Sequence, residues 1–252
     1  MKILNILTLN YRNNPITLLF GIPNTQEEFT EMFNLRFNIY KEKNYIELEK
    51  LEDNLDLDDY DKQNKCTYFI AKVDEKVIGS ARVIRDHPLP TQLYFEFEEP
   101  LKMKEISNDL KIEISRLVIV KYKINNSSYL PRHITVLMLF NTIAKYAKEN
   151  NYKAGYAFVK SKLFYKLKIL KIPFYLIDDY EQIYPKDGML YKYFNDPNDP
   201  VFPIYYFLED IERYFDKLFS FKFLFIKKFD NEIIMKNIFL YNIFLRLFKL
   251  FK

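Results

Sequence analysis

The spacing of apolar and polar positions along the chain predicts strands alternating with helices. Residues 16–22 form an apolar run of strand length, punctuated by Pro23, Asn24 and Thr25. Thr25, with Glu28 three positions later, has the form of a capping box. Behind it Phe29, Met32, Phe33, Phe37 and Tyr40 recur at helical spacing, so a helix is predicted over about 26–40. Residues 66–73 and 76–84 are rich in β-formers and separated only by Asp74 and Glu75, the pattern of a hairpin. A loop is expected from His87 to about residue 110, with a short strand at 93–97, and 112–120 is the most strand-like stretch. Beyond a turn at 125–128, Pro131 opens a predicted helix to about Asn150, with Val136, Leu137, Phe140, Ile143, Ala144 and Ala147 on its apolar face. A strand at 153–159, a helix at 162–170 and a strand at 173–177 follow.

A hairpin followed by a β-α-β-α-β half predicts one α/β (α+β) domain over residues 1–204, a mixed sheet with helices on both faces. Residues 205–252 read as a separate Phe-rich helical extension. Within it, 233–252 sets Ile238, Phe239, Leu240, Ile243, Phe244, Leu247, Phe248 and Phe251 against Lys236, Arg246, Lys249 and Lys252. That is the pattern of a cationic amphipathic helix, suited to an anionic membrane surface, to the core or to a second copy of the chain.

Simple alternation along 112–120 puts Glu113, Ser115, Leu117 and Ile119 on one face and Ile112, Ile114, Arg116, Val118 and Val120 on the other. Glu113 and Arg116 are thus charges inside a central strand, and Arg82 is another in the strand before. An unpaired charge there is costly, so each needs a partner or a polar cavity. Asp58 and Asp61 are candidate partners for Arg82. Such charges either form an ion-pair network that fixes the fold or line a site.

Composition narrows the chemistry. Four glycines among 252 residues argue against glycine-dependent phosphate loops. A net charge of +4 is too small to indicate nucleic acid. Cys66, the single cysteine, lies in an apolar run and reads as a packed thiol. With His87 and His133 the only histidines and no G-x-S-x-G elbow, neither a metal centre nor a serine triad is expected. No stretch reaches the ~18 uncharged apolar residues of a membrane span, and the first residues carry no cleavage-site pattern. A cytoplasmic location is expected, peripheral on the inner face of the cytoplasmic membrane if 233–252 binds lipid.

Four motifs, in order, resemble those of acyl-homoserine-lactone synthases. They are Leu35-Arg36-Phe37 with Tyr40; Asp58, Tyr60 and Asp61 followed by Tyr68-Phe69-Ile70-Ala71; Val77-Ile78-Gly79-Ser80-Ala81-Arg82; and Glu113-Ile114-Ser115-Arg116-Leu117 with Ile119. The resemblance spans residues 20–175 or so. It implies a GNAT acyltransferase fold and transfer of a fatty acyl group from a thioester to an amine. Lacking any Trp, the chain departs from the aromatic N-terminal part of the lactone synthases and looks nearer to long-chain N-acyl amino acid synthases. An amino acid or similar small amine is therefore the expected acceptor, rather than S-adenosylmethionine. The [QR]-x-x-G-x-[GA] pyrophosphate loop common in GNAT proteins is missing between Val120 and Thr135, which favours acyl carrier protein over coenzyme A as donor.

On this reading Glu113 and Arg116 are the candidate catalytic pair, with Glu113 the base, acting through water. Arg36, Arg82 and Arg116 either fork onto the acceptor's carboxylate or hold Asp58 and Asp61, and Ser115 joins the same substrate-binding set. Backbone amides of Val118, Ile119, Val120 and Lys121 are candidate oxyanion and pantetheine contacts. Phe140 and Phe158, with Leu137, Phe164 and Tyr165, either line an acyl tunnel or are ordinary core. No metal and no bound cofactor are expected. Lys145, Lys148, Lys153, Lys160, Lys162, Lys166, Lys168 and Lys171 form a basic stretch for an acidic carrier protein or for solvent. The alternatives are a coenzyme A-dependent N-acetyltransferase and a non-catalytic membrane- or carrier-binding module of the same fold.

Overall fold

The computed structural model describes residues 1–11, 14–48, 55–125, 128–229, 231–237 and 241. Strands β1 (Lys2–Tyr11) and β2 (Asn14–Ile22) and helix α1 (Gln26–Glu42) come first. A one-turn α2 (Asp59–Lys62) leads into β3 (Cys66–Val73) and β4 (Lys76–Ile84). Then come α3 (Pro90–Tyr94), β5 (Phe95–Phe97), α4 (Leu101–Lys104) and β6 (Lys111–Ile119). β7 (Lys123–Asn125) and β8 (Ser128–Tyr129) precede α5 (Arg132–Glu149), β9 (Ala154–Lys160) and α6 (Ser161–Ile169). β10 (Tyr175–Leu176), β11 (Tyr180–Gln182), α7 (Tyr191–Phe194) and β12 (Val201–Phe207) follow. α8 (Leu208–Phe219), β13 (Phe225–Phe229) and β14 (Glu232–Met235) are the last described elements.

Ten strands share one sheet in the order β10-β12-β9-β6-β4-β3-β2-β1-β14-β13, antiparallel except for β6–β9 and β1–β14. Helix α5 covers one face, with α8 beside it, and α1 crosses β4 and β6 on the other. Leu7, Leu9, Leu18, Phe20, Phe69 and Ile143 belong to the core under α5. Met32, Tyr68, Ile70 and Tyr156 form the core on the α1 side, and Phe37, Phe95 and Val118 a third cluster there. The hairpin at Asp74 and Glu75 is as expected, both residues taking the positive φ (46° and 66°) that a type I′ turn requires. At α1, Thr25 Oγ1 accepts from the Glu28 N–H, but the Glu28 carboxylate reaches the N–H of Asn24 instead of that of Thr25, so only half of the capping box forms.

Several elements differ from the sequence reading. β1 was not expected, because Asn5 interrupts its apolar run. Asn5 is buried, with its amide donating to Thr142 Oγ1 (2.9 Å) and accepting from Lys145 Nζ (2.6 Å), and Leu7 and Leu9 continue its inward face. The short strand expected at 93–97 begins as helix α3 and becomes β5 only at Phe95. The division expected between 204 and 205 falls inside β12, which pairs along its whole length with β9. Of the helix expected over 233–252, Ile233 to Met235 instead lie in β14, parallel to β1. Apart from Lys236, Asn237 and Tyr241, the rest lies outside the described residues.

Two features of β6 position the site. The β4–β6 register matches Ser80 with Val118 and Arg82 with Ser115, so Arg116 and Leu117 together oppose Ala81 in a β-bulge. Arg116 takes φ 53°, a left-handed conformation costing a non-glycine residue roughly 1–2 kcal/mol. The extra residue resets the alternation. Val118 packs with Phe37 and Tyr40 on the α1 side, while Leu117 and Ile119 join Ile112 and Ile114 in the core under α5. The second feature is a parting of strands. β6 pairs with β9 only from Lys111↔Ala154 to Glu113↔Tyr156, after which β6 stays with β4 and β9 stays with β12. A wedge-shaped gap opens there, with Glu113 and Tyr156 at its vertex.

The closely paired base of that wedge leaves no room at Gly155, where a Cβ would lie 2.2 Å from Ile112 O and 2.4 Å from Tyr206 Oη. Gly155→Ala is expected to lower the urea midpoint by an amount corresponding to about 1–3 kcal/mol; an unchanged midpoint would contradict the described packing.

Candidate active site

Six charged side chains meet on the α1 side of the sheet. Arg36 projects from α1, Arg82 from β4 and Arg116 from the β6 bulge. Asp58 and Asp61 come from α2, and Asp56 from the segment just before it. Arg36 bonds Asp56 through Nε (3.2 Å to Oδ2) and Asp61 through Nη2 (3.1 Å). Arg82 forks onto Asp58 with both distances at 2.7 Å, reaches Asp61 Oδ1 at 2.8 Å and donates from Nε to Ser115 Oγ (3.0 Å). Arg116 donates to Asp56 Oδ2 (2.9 Å) and Asp58 Oδ2 (3.2 Å). Tyr68 adds a hydroxyl on Asp61 (2.7 Å). The acids are placed by a local device: Asp58 Oδ1 accepts from the Asp61 N–H and Asp61 Oδ2 from the Asp58 N–H, a capping box around the single turn of α2.

The three arginines are therefore committed to aspartates. Of the two roles open from sequence, holding Asp58 and Asp61 is the one the geometry displays. The Arg36 and Arg82 side chains are 1% and 2% exposed and those of Asp56 and Asp61 not at all, whereas Asp58 is 23% exposed. Burial pushes the carboxyls of Asp58 and Asp61 up, but the facing guanidinium groups outweigh it and lower both, holding Asp61 well below the usual carboxylate range.

Glu113 lies beside this cluster and outside its charge balance. It is fully buried; one carboxylate oxygen accepts the Thr91 N–H at the start of α3 (2.7 Å), and the other has no hydrogen-bond partner. Among the described residues no basic side chain lies within ion-pair distance of it. Burial raises its pKa to about 8, against the pull of the Thr91 hydrogen bond and the Arg82 charge. Alternation had put Arg116 on the face opposite Glu113 and Ser115; the bulge brings all three together.

Val118 faces α1, and Lys121 is exposed. Val120 donates its N–H to Ile78 O (2.9 Å), so that amide is spent in the sheet. The preceding N–H, of Ile119, turns to the opposite edge, toward the gap with β9. Phe158, on β9 just past the vertex, packs on the rings of Tyr94, Phe95, Tyr193 and Phe194. Phe140 is separated from it: with Leu137 and Phe164 it lies in the core under α5, against Phe174. Tyr165 is exposed. Of the basic stretch, Lys160 is buried over the Tyr193 ring and bonded to Tyr193 O, and Lys148 pairs with Glu212, whereas Lys162, Lys166 and Lys168 stand along α6. Sequence reasoning gave no role to Asp56, Tyr68 or Thr91. Tyr68 stood in the second of the four motifs, and Asp56 lies in the acidic stretch before α2.

The sequence profile of the autoinducer synthase family matches residues 23–179. No curated protein matches the chain. Among solved structures, TofI in a ternary complex with an inhibitor and MTA is 11% identical, covers 79% of this chain and 96% of its own, and has a TM-score of 0.51. The CoA-dependent acyl-homoserine lactone synthase BjaI with MTA is 15% identical, with coverages of 77% and 82% and a TM-score of 0.50. The N-acyl amino acid synthase FeeM from uncultured soil microbes is 14% identical, with coverages of 79% and 94% and a TM-score of 0.48. The likeness to TofI and BjaI is one of fold, and the architecture is the mixed sheet with helices on both faces expected from the sequence. No described helix is long and apolar enough to cross a membrane.

Two stability measurements follow from the charges. Arg36→Met leaves Asp56 and Asp61 short of a counter-charge and is expected to cost about 3–5 kcal/mol in urea unfolding; a loss below ~1 kcal/mol would contradict the network. Glu113 acts in the opposite sense. Between pH 4.5 and about 8 the native state holds its proton while the unfolded chain releases it, so Glu113 lowers stability as pH rises through that window. Glu113→Gln is expected to be more stabilising at pH 9 than at pH 5, by about 4 kcal/mol; equal effects at both would refute the raised pKa.

Proposed function

The chain belongs to the autoinducer synthase family and is an N-acyltransferase, and on that premise we propose that it joins a fatty acyl group, delivered as an acyl carrier protein thioester, to the amine of an amino acid or amino-acid-like acceptor. The observation that carries this reading is Glu113, a buried acid without a basic partner, at the vertex where β6 and β9 part.

Asp58 is the one carboxylate of the cluster with substantial exposure, and it receives the acceptor's ammonium. Arg82 and Arg116 hold Asp58 for that contact. Glu113, through water, takes one proton from the ammonium, and the nitrogen lone pair attacks the thioester carbon. The Ile119 N–H lies where the resulting oxyanion would accept a hydrogen bond. The carbon–sulfur bond then breaks, the nitrogen loses its second proton, and the thiolate takes one up. Val118 and Phe158 flank the wedge that takes the pantetheine arm and the acyl chain. The exposed lysines of α6, together with the missing pyrophosphate loop, support a carrier protein as donor.

Purified protein incubated with octanoyl-acyl carrier protein or octanoyl-CoA and a mixture of amino acids, followed by mass spectrometry, is expected to yield an N-octanoyl amino acid, more rapidly from the carrier protein. Product from acetyl-CoA alone would replace this reading with an N-acetyltransferase, and no N-acyl product from any donor would end it. The wild-type kcat/KM is expected to climb with pH and level off above about 8. Glu113→Gln should lower kcat by on the order of 10²–10³ and abolish that limb; an unaltered profile would exclude Glu113 as base.

A further inference from the structure

Net N-acyl transfer from an ammonium and a thioester releases one proton per turnover, and Glu113, as the base of that reaction, is buried away from solvent. A second cluster of buried titratable groups adjoins it. Tyr156 is the residue paired with Glu113 at the last rung of the β6–β9 ladder. Neighbouring strands lie ~4.8 Å apart, and both side chains are on the α1 face. Tyr156 is fully buried, its ring held edge-on by Phe97, and its hydroxyl donates to Glu99 Oε1. Lys111, two residues before Glu113 and 1% exposed, grips the same Glu99 oxygen (2.7 Å) and Asn108 Oδ1 (3.2 Å). The Glu99 side chain is 24% exposed and gives the cluster its outlet to water.

Holding an ammonium, a carboxylate and a phenol in a dry interior is costly, and none of the three takes part in binding or attack as described above. We infer that Tyr156 and Glu99 form a relay that carries the proton from Glu113 to solvent. Protonated Glu113 gives its proton to the Tyr156 oxygen across one water, as the phenol's own proton passes to Glu99. Glu113 returns to carboxylate and Tyr156 to phenol, and Glu99 releases the proton to bulk water. The phenol stays neutral throughout, in keeping with a pKa that burial and the neighbouring Glu99 push well above the usual tyrosine range. Lys111 fixes the acceptor carboxylate. The other titratable groups near Glu113 are Arg82, Tyr60 and Tyr94, with Tyr206 across the sheet in the core under α5; Arg82 is tied to Asp58, Asp61 and Ser115.

This inference rests on Glu113 as the base, and the test separates the two. With octanoyl-acyl carrier protein and the amino acid the wild type accepts, Tyr156→Phe is expected to lose on the order of tenfold in kcat at low buffer, with KM little changed. Raising the imidazole concentration should restore most of that loss and leave the wild type unaffected, which a purely structural defect would not reproduce. Glu99→Gln, at a partly exposed position, should behave likewise, and the double variant should be no slower than either single one. An active wild type with Tyr156→Phe at full speed, or natively folded but slow and indifferent to imidazole, would overturn the relay alone. A wild type that forms no N-acyl product would remove both readings.

Discussion

A guanidinium buried without a counter-charge costs several kcal/mol, and the α1 face of this sheet buries three of them. Asp56, Asp58 and Asp61 supply three carboxylates, and every guanidinium touches two of them. This enforced neutrality explains why α2 is a single capped turn, why the strand after it, β3, carries Tyr68 toward Asp61, and why the arginines are not free to act as anion receptors. It also isolates Glu113. With the positive charges nearby already matched, the Thr91 hydrogen bond and the pull of Arg82 fall short of the desolvation of that carboxyl, and its pKa rises toward neutrality.

The bulge at Arg116 makes the arrangement possible. An unbroken strand would send Arg116 to the face under α5, among Ile134, Leu137 and Ile143, where the described core offers no acid to meet it. The left-handed residue at 116 costs stability, and its two ion pairs repay that cost. Strain of this kind is tolerated where the surroundings over-determine it. The same reset turns Val118 into the wedge, so that Glu113, Arg116 with its partner Asp58, and the apolar lining of the gap are gathered around one strand.

Much of this was legible in the sequence. The hairpin, α1, β6, α5, β9 and α6 follow from periodicity and turn chemistry, because each buries a face whose pattern is regular. Charges inside apolar strands marked Glu113, Arg82 and Arg116 as needing a partner or a polar cavity; Asp58 and Asp61 prove to be partners of Arg82, whereas Glu113 has no charged partner among the described residues. What was hidden depends on long-range pairing. β1 carries a buried Asn5 whose partners lie on α5, far along the chain. β12 and β14 join the sheet through register with β9 and β1, which no local pattern encodes. The bulge was invisible because it shows only against β4, and Thr91 is important through its backbone, not its side-chain type.

The account depends on the protonation of one carboxyl. Glutamate labelled with ¹³C at the side-chain carboxyl, with the Glu113 resonance assigned from its disappearance in Glu113→Gln, allows that group to be titrated by NMR in the folded protein. A midpoint near 8 is predicted. A midpoint close to 4.5, the ordinary value for a glutamate, would contradict it and leave the wedge between β6 and β9 without a base.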